Sequence, residues 1–291
     1  MSCVEIFISD NNSIDDTQRI VSECQRKFGN IHYFKNDKNV GFDLNVVNSI
    51  EKSRGKYCMY LGDDDAIAIG GIRFLVDYLK RTEISVLTYD MKDYAYLKDS
   101  RIHDGDIPDT LIHSTTSHDD FLRKGYSLGI FSYFTFDRKL WLANVDTKDF
   151  IEGWLYHDVI VKMSAMAEHP LVHISYPITY AKQDCLWVKG GGEISAFLNS
   201  KKLFEKWLTY DEYDTSIFTN ILDAMPKRLI VILLRAKGHD LAVSSKNFKL
   251  LYAEFHTSRL YFSIATVIFF VPNWIIKLAR DFNKKITKIK I

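Results

Sequence analysis

Apolar positions over the first ninety residues follow two alternating rhythms. "VEIFI" (4–8), "IHYFKN" (31–36), "KYCMYL" (56–61) and "ISVLTYDM" (84–91) are short runs rich in β-branched and aromatic residues, the length and composition of strands. Between them, "SDNNSIDDTQRIVSECQRKFG" (9–29), "GFDLNVVNSIEKSRG" (41–55) and "GGIRFLVDYLKR" (70–81) carry apolar residues at helical spacing. In the first of these Ile20, Val21 and Cys24 share one side, turn and N-cap residues open the segment, and Gly29 closes it. Strand and helix in alternation predict parallel α/β units and an open sheet with helices on its faces. After residue 91 the pattern is irregular. Strand-like pieces fall at Tyr94–Leu97 and Phe131–Phe136, a helix within 150–168, and strands over 170–183. From Phe197 helical patterns run to the end, which predicts a domain over 1–195 and a helical, basic, amphipathic region over 196–291.

Composition changes this picture in one respect. The 291 residues are 47% hydrophobic, ample for a core, and the net charge is +1. That balance hides an asymmetry, because Lys227–Ile291 holds 13 Lys or Arg against 3 Asp or Glu. The basic residues there alternate with long aliphatic ones rather than forming an exposed aromatic and basic strip, which argues against nucleic acid as a partner. Instead, "KRLIVILLRAKG" (227–238) and "RLYFSIATVIFFVPNWIIKLARDFNKKITKIKI" (259–291) have the character of segments that lie in the headgroup region of an anionic membrane, with Trp274 at the interface. The alternative is a helical lid with a solvated basic end. Pro272 and polar residues interrupt the longest apolar run before it reaches spanning length. Cys3, Cys24, Cys58 and Cys185 form no CxxC pair, so reduced thiols in a cytoplasmic protein are expected.

The candidate chemistry centres on "YCMYLGDDDAIAIGG" (57–71), where Asp63, Asp64 and Asp65 follow a predicted strand. Taken alone, three adjacent carboxylates read as a solvated acidic turn. At the C-terminal end of a strand in an open α/β sheet they occupy the place where such sheets bind ligands, and a cation would relieve their mutual repulsion. The "GGG" at 190–192 lacks the Lys and Ser/Thr of a phosphate-cradling loop and is expected to be a flexible loop.

"ISDNNSIDDTQRI" followed at the right distance by "NVGFDLNVVNSIEKSRGKYCMYLGDDD" strongly resembles the family 2 glycosyltransferases of GT-A fold, well over 4–90 and loosely over 130–185. The resemblance implies a Rossmann-like, mostly parallel sheet flanked by helices, with the C-terminal helical region as an extension. It implies an inverting glycosyltransferase that moves a sugar from a nucleotide-diphosphate sugar. Asp10 and Asn12 would then contact the nucleotide, Asn39, Gly41 and Asn45 would belong to the same nucleotide-sugar site, and Asp63–Asp65 would hold Mn2+ or Mg2+ on the diphosphate. Gly62 stands where the family's Asp-x-Asp-Asp pattern begins, so Asp63 with Asp65 is the preferred metal pair and Asp64 a donor contact. Asp158 in "EGWLYHDVIVKMSAM" matches the catalytic base, and otherwise is a first-turn carboxylate favoured by the helix dipole. His157 either orients it or is a surface histidine. Trp187 and Lys182, in a loop near acceptor and diphosphate in related enzymes, are candidates for sugar stacking and phosphate contact, with Lys189 beside them.

The "LGDDD" form is similar to that of abequosyltransferase-like members, which build O-antigen, lipopolysaccharide or capsule units. This implies a lipid-linked saccharide acceptor on polyprenyl diphosphate, and a protein peripheral on the cytoplasmic face of the inner membrane. The family normally opens with a strand like "SIIIPTYNR", whereas only Met-Ser-Cys precedes "VEIFI". The resemblance therefore predicts an absent first strand and a native product that extends upstream. The competing expectation is a catalytically inactive, membrane-associated interaction protein. A nucleotidyltransferase would share the acidic site but needs an N-terminal Gly-rich loop with a basic residue, and no such stretch occurs here.

Overall fold

The alternating runs become strands and helices with boundaries shifted by a few residues. The computed structural model describes residues 3–124, 131–181, 192–210, 216–238, 240–241 and 243–279. They divide into two units, Met1–Gln183 and Asp184–Ile291. In the first, β1 (Ile6–Asp10), α1 (Thr17–Lys27), β2 (Ile31–Lys35), α2 (Phe42–Lys52), β3 (Tyr57–Met59), β4 (Ala66–Ile67), α3 (Gly71–Arg81) and β5 (Val86–Asp93) follow one another. Then come β6 (Ile112–Thr115), α4 (His118–Lys124), β7 (Phe134–Asp137), α5 (Arg138–Asn144), α6 (Leu155–Ala165) and β8 (Leu171–Ala181).

The class is α/β as expected, but the sheet is mixed rather than mostly parallel. Parallel pairing joins β1 to β2 and β5 to β8, while β3–β7, β5–β7, β4–β8 and β6–β8 are antiparallel. Every antiparallel pair includes β4, β6 or β7, strands of two to four residues that are too short to display an alternation. Tyr94–Asp99 is a 3-10 helix rather than a strand, because Asp93 accepts the Ala95 N–H and turns the chain. In β8 the pairing skips from Ile174 to Pro177 opposite Tyr89 and Asp90, a bulge that accommodates a residue with no N–H for the ladder.

The sheet is also divided. β1 and β2 form a two-stranded sheet, and the other strands form a six-stranded one in the order β3-β7-β5-β8-β4, with β6 on β8. The edge of β1 away from β2 is closed in part by a side chain, since Asn45 donates Nδ2–H to the Ser9 carbonyl at 2.9 Å. Ile6 on this strand stays half exposed.

Local packing explains the start of α3. Gly70 precedes α3 with φ of +88°, and a Cβ there would lie 2.3 Å from the Ile102 carbonyl oxygen, so only glycine fits. Helix α6 is buried over nine of its eleven residues, polar ones included, which makes it the core helix of the unit. Val86, Leu87, Phe134, Phe136, Trp141, Ile160, Leu171 and Ile178 complete that core.

The second unit is helical, as the periodicity predicts. It comprises α7 (Gly192–Trp207), α8 (Ser216–Gly238), α9 (Ser245–Phe255), α10 (Arg259–Phe270) and α11 (Asn273–Ala279). Leu203, Phe204, Trp207, Leu229, Leu233 and Phe269 are buried in it. Lys237 is buried as well and donates to the Phe269 carbonyl at the end of α10, 3.0 Å away. Among the described residues no single helix is long and apolar enough to cross a membrane, and α10 and α11 meet at 103°. Leu260, Ile264 and Val267, at helical spacing on α10, are exposed together with Trp274 and Leu278 on α11.

Candidate active site

The turn after β1 and the entry to α2 are stitched together by amide side chains. Asn11 donates Nδ2–H to Asn39 Oδ1 at 2.9 Å and accepts the Val40 N–H at 2.8 Å, while Asn39 Oδ1 also accepts the Gly41 N–H. Gly41, with φ of +86°, releases the chain into α2. Asn12 lies in the left-handed region at φ of 65°, a conformation that Asn tolerates better than other side chains. Asp10 is nearly buried and accepts hydrogen bonds from Tyr33 Oη and from the Ser13 N–H. Burial pushes its carboxyl up, but these bonds prevail and hold it below the ordinary carboxylate range. The Tyr33 phenol is pushed up to about 12, first by burial and then by that bond. Asn45 serves the framework: its Oδ1 accepts from Ser9 Oγ and Asn36 Nδ2, each at 2.8 Å. Asp10, Asn12, Asn39 and Gly41 thus share one wall, while Asn45 fastens that wall to β1. Asn11, Tyr33 and Asn36 carry as much of it and went unforeseen from sequence.

The acidic turn follows β3. The Gly62 N–H donates to Ser132 Oγ at 2.7 Å, and the Asp65 N–H donates back to the Gly62 carbonyl. The carboxylates of Asp64 and Asp65 both lie against Gly62. A Cβ at Gly62 would lie 3.1 Å from Asp65 Oδ2 and 3.3 Å from Asp64 Oδ1, so glycine leaves room for both. Asp63 and Asp64 are exposed and Asp65 is half-buried. Among the described residues no three His, Cys, Asp or Glu side chains are arranged to hold a metal ion. The turn itself offers two hard carboxylate oxygens, which suit Mg2+ or Mn2+ when a diphosphate and water complete the coordination.

An aromatic floor links this turn to two helix starts. Tyr60, two residues before Gly62, stacks on Phe131 with ring centroids 4.8 Å apart. Phe131 meets Phe42 of α2 at 5.3 Å and Tyr156 of α6 at 5.0 Å. Asp158 lies two residues beyond Tyr156, about 200° round the helix, so its carboxylate occupies a different face from the floor. It is nearly buried, with Lys162 Nζ 3.1 Å from its Oδ2. His157 is not a surface histidine: it is fully buried, stacked against Trp154 and edge-on to Phe134. Burial lowers its pKa to about 3, so the ring is neutral near pH 7. Trp187, Lys182 and Lys189, with the loop that carries them, lie outside the described residues.

Comparison with known proteins follows the same lines. Residues 2–141 match the family described as Glycosyl transferase family 2. Abequosyltransferase RfbV of Salmonella typhimurium is 30% identical over 141 residues, 48% of this chain and 38% of that protein. GalNAc(5)-diNAcBac-PP-undecaprenol beta-1,3-glucosyltransferase of Campylobacter jejuni is 34% identical over 74 residues, 25% of this chain and 24% of its own length. These matches therefore span well under half of the relatives. Among solved structures, S. aureus TarS in complex with UDP-GlcNAc aligns over 91% of this chain and 82% of its own, at TM-score 0.53 and 14% identity. Mannosyltransferase PcManGT from Pyrobaculum calidifontis, in complex with GDP-Man and Mn2+, aligns over 94% and 77% at TM-score 0.55 and 12% identity. The fold is GT-A, and residues 2–141 of this chain match the model of glycosyl transferase family 2.

Proposed function

We propose that this chain is a metal-dependent, inverting glycosyltransferase. It transfers a hexosyl or dideoxyhexosyl group from a nucleotide-diphosphate sugar to a saccharide carried on polyprenyl diphosphate, in O-antigen, lipopolysaccharide or capsule synthesis. The observation that carries this reading is the pair Asp64 and Asp65 around Gly62 at the end of β3, anchored by Ser132 and floored by Tyr60. A bound Mn2+ or Mg2+ would supply charge neutralisation to the leaving diphosphate. Asp64 and Asp65 would hold that cation, with Asp63 beside them. The wall of Asp10, Asn12, Asn39 and Gly41 receives the nucleoside. The sugar exchanges its bond to a diphosphate oxygen for one to the acceptor oxygen, and Asp158 accepts the acceptor's proton.

The names of the two curated relatives support the substrate class: one is an abequosyltransferase, and the other carries an undecaprenol-linked saccharide in its name. The second unit supports a site at the cytoplasmic face of the inner membrane, because its exposed Leu260, Val267, Trp274 and Leu278 accompany a basic sequence. The test is transfer from a panel of nucleotide sugars to membrane lipid extract with Mn2+ or Mg2+, run beside Asp65→Asn and Asp158→Asn. Metal-dependent transfer lost in both variants is expected. The division between β1 and β3 favours a second reading, a non-catalytic interaction protein, and a folded wild type that binds no nucleotide sugar would establish it.

A further inference from the structure

Asp43 is the residue that sequence reasoning passed over. An aspartate in the first turn of a helix ordinarily faces solvent and favours its own helix dipole. Asp43 instead is 4% exposed, and its carboxylate reaches a segment 110 residues away. Oδ2 accepts the Gly153 N–H at 2.6 Å, and Oδ1 accepts the Leu155 N–H at 3.1 Å. These are N–H groups at the start of α6, whose N-cap residue Trp154 supplies no side-chain cap. The Trp154 N–H itself turns back to the Ile151 carbonyl. Asp43 therefore caps α6 from another helix. Gly153, at φ of +80°, adopts the backbone conformation that this approach needs. Burial raises the Asp43 pKa, the two N–H bonds oppose that rise, and Glu152 adds to it.

An ordinary cap is local, a serine or aspartate at the N-cap position that accepts the second or third N–H of its own helix. What only a distant cap provides is a tie between two parts of the site. Asp43 lies two residues beyond the Asn39–Gly41 turn, and Leu155 lies three residues before Asp158. The neighbouring Phe42 grips the same helix start through Tyr156, at 5.8 Å between ring centroids.

We infer that Asp43 is a positioning residue that fixes the first turn of α6, and with it Asp158, against the turn that receives the nucleotide. This rests on the reading of Asp158 as the base. Displacing a reacting group by about 1 Å is enough to lower a rate roughly a hundredfold.

The test uses the full chain and four forms: wild type, Asp43→Asn, Asp158→Asn and the double variant. Asp43→Asn keeps the shape and one acceptor oxygen, so the fold survives. Hydrogen exchange with UDP or GDP and Mn2+ present is expected to quicken severalfold in peptides covering 153–158 and to stay unchanged in β5. Unchanged exchange over 153–158 would overturn the inference whether or not any turnover is detected. In the transfer assay, Asp43→Asn is expected to lower kcat about ten- to a hundredfold with donor KM within about twofold. The double variant is expected to match Asp158→Asn. If the Asp43 change lowers the residual activity of Asp158→Asn by the same factor as it lowers wild type, Asp43 does not act through Asp158. Full activity in Asp158→Asn alone would instead refute the base reading.

Discussion

Ser132 holds the acidic turn, and its replacement by alanine isolates that role. The residue is fully buried; its Oγ accepts the Gly62 N–H at 2.7 Å, and its carbonyl accepts Thr179 Oγ1–H at 2.6 Å. Ser132→Ala removes the first bond and leaves the second intact. Stranding a buried donor costs about 1–3 kcal/mol, and Gly62 is only half buried, so about 1 kcal/mol applies. That loss has two routes of expression. If the turn stays in place, the unfolding midpoint falls by about 2–4 °C for a chain of this size. If the turn loosens, reordering it on binding weakens metal-dependent nucleotide affinity by about fivefold. Calorimetric titration of UDP and GDP with Mn2+, together with thermal denaturation, reads both. A variant with unchanged affinity and unchanged midpoint would refute the claim that Ser132 anchors the turn.

Other consequences are equally specific. Gly70→Ala places a Cβ against the Ile102 carbonyl in a left-handed backbone, and thermal denaturation is expected to show a loss of about 2 kcal/mol or more. His157 and His118 are held neutral by burial, with pKa values lowered to about 3 and about 4. The unfolded chain binds more protons than the folded one below the ordinary histidine value of 6.5. Stability is therefore complete above that pH and falls by up to about 1.4 kcal/mol per pH unit for each group as the pH drops toward 4. Urea denaturation between pH 7 and 4.5 should show this slope, and it should flatten in His157→Phe. Leu260→Glu with Val267→Glu is expected to abolish co-sedimentation with phosphatidylglycerol vesicles while leaving helicity by circular dichroism intact. Equal vesicle binding by that double variant would exclude α10 as the contact.

The sequence pattern recovered α1, α2 and α3 because each turns an apolar stripe inward, and β1, β2, β3 and β5 because their short runs are rich in β-branched and aromatic residues. It missed β4 and β6, whose two and four residues hold no repeat, and it read Tyr94–Leu97 as a strand because aromatic content outweighed the Asp93 turn. The acidic turn was legible as a charge run, and the structure adds that the Asp64 and Asp65 carboxylates both lie against Gly62, next to the Asp63 that the family pattern pairs with Asp65. The supports of the acidic turn and of the α6 start were not legible. Ser132 is 70 residues from Gly62, and Asp43 is 110 residues from Gly153; neither belongs to a local pattern. Asn45 enters the candidate site through the family resemblance, and what the sequence did not show is that it also bonds Ser9 and Asn36 inside the framework.

The central claim is that the turn after β3 holds a metal on a nucleoside diphosphate. Crystals of the full chain grown with Mn2+ and UDP or GDP, with data collected for the anomalous signal of manganese, test it most directly. A single strong peak is expected between the Asp64 and Asp65 carboxylates, in contact with the diphosphate and lost in Asp65→Asn. Nucleotide bound at the Asn39–Gly41 turn with no manganese at those carboxylates would contradict it.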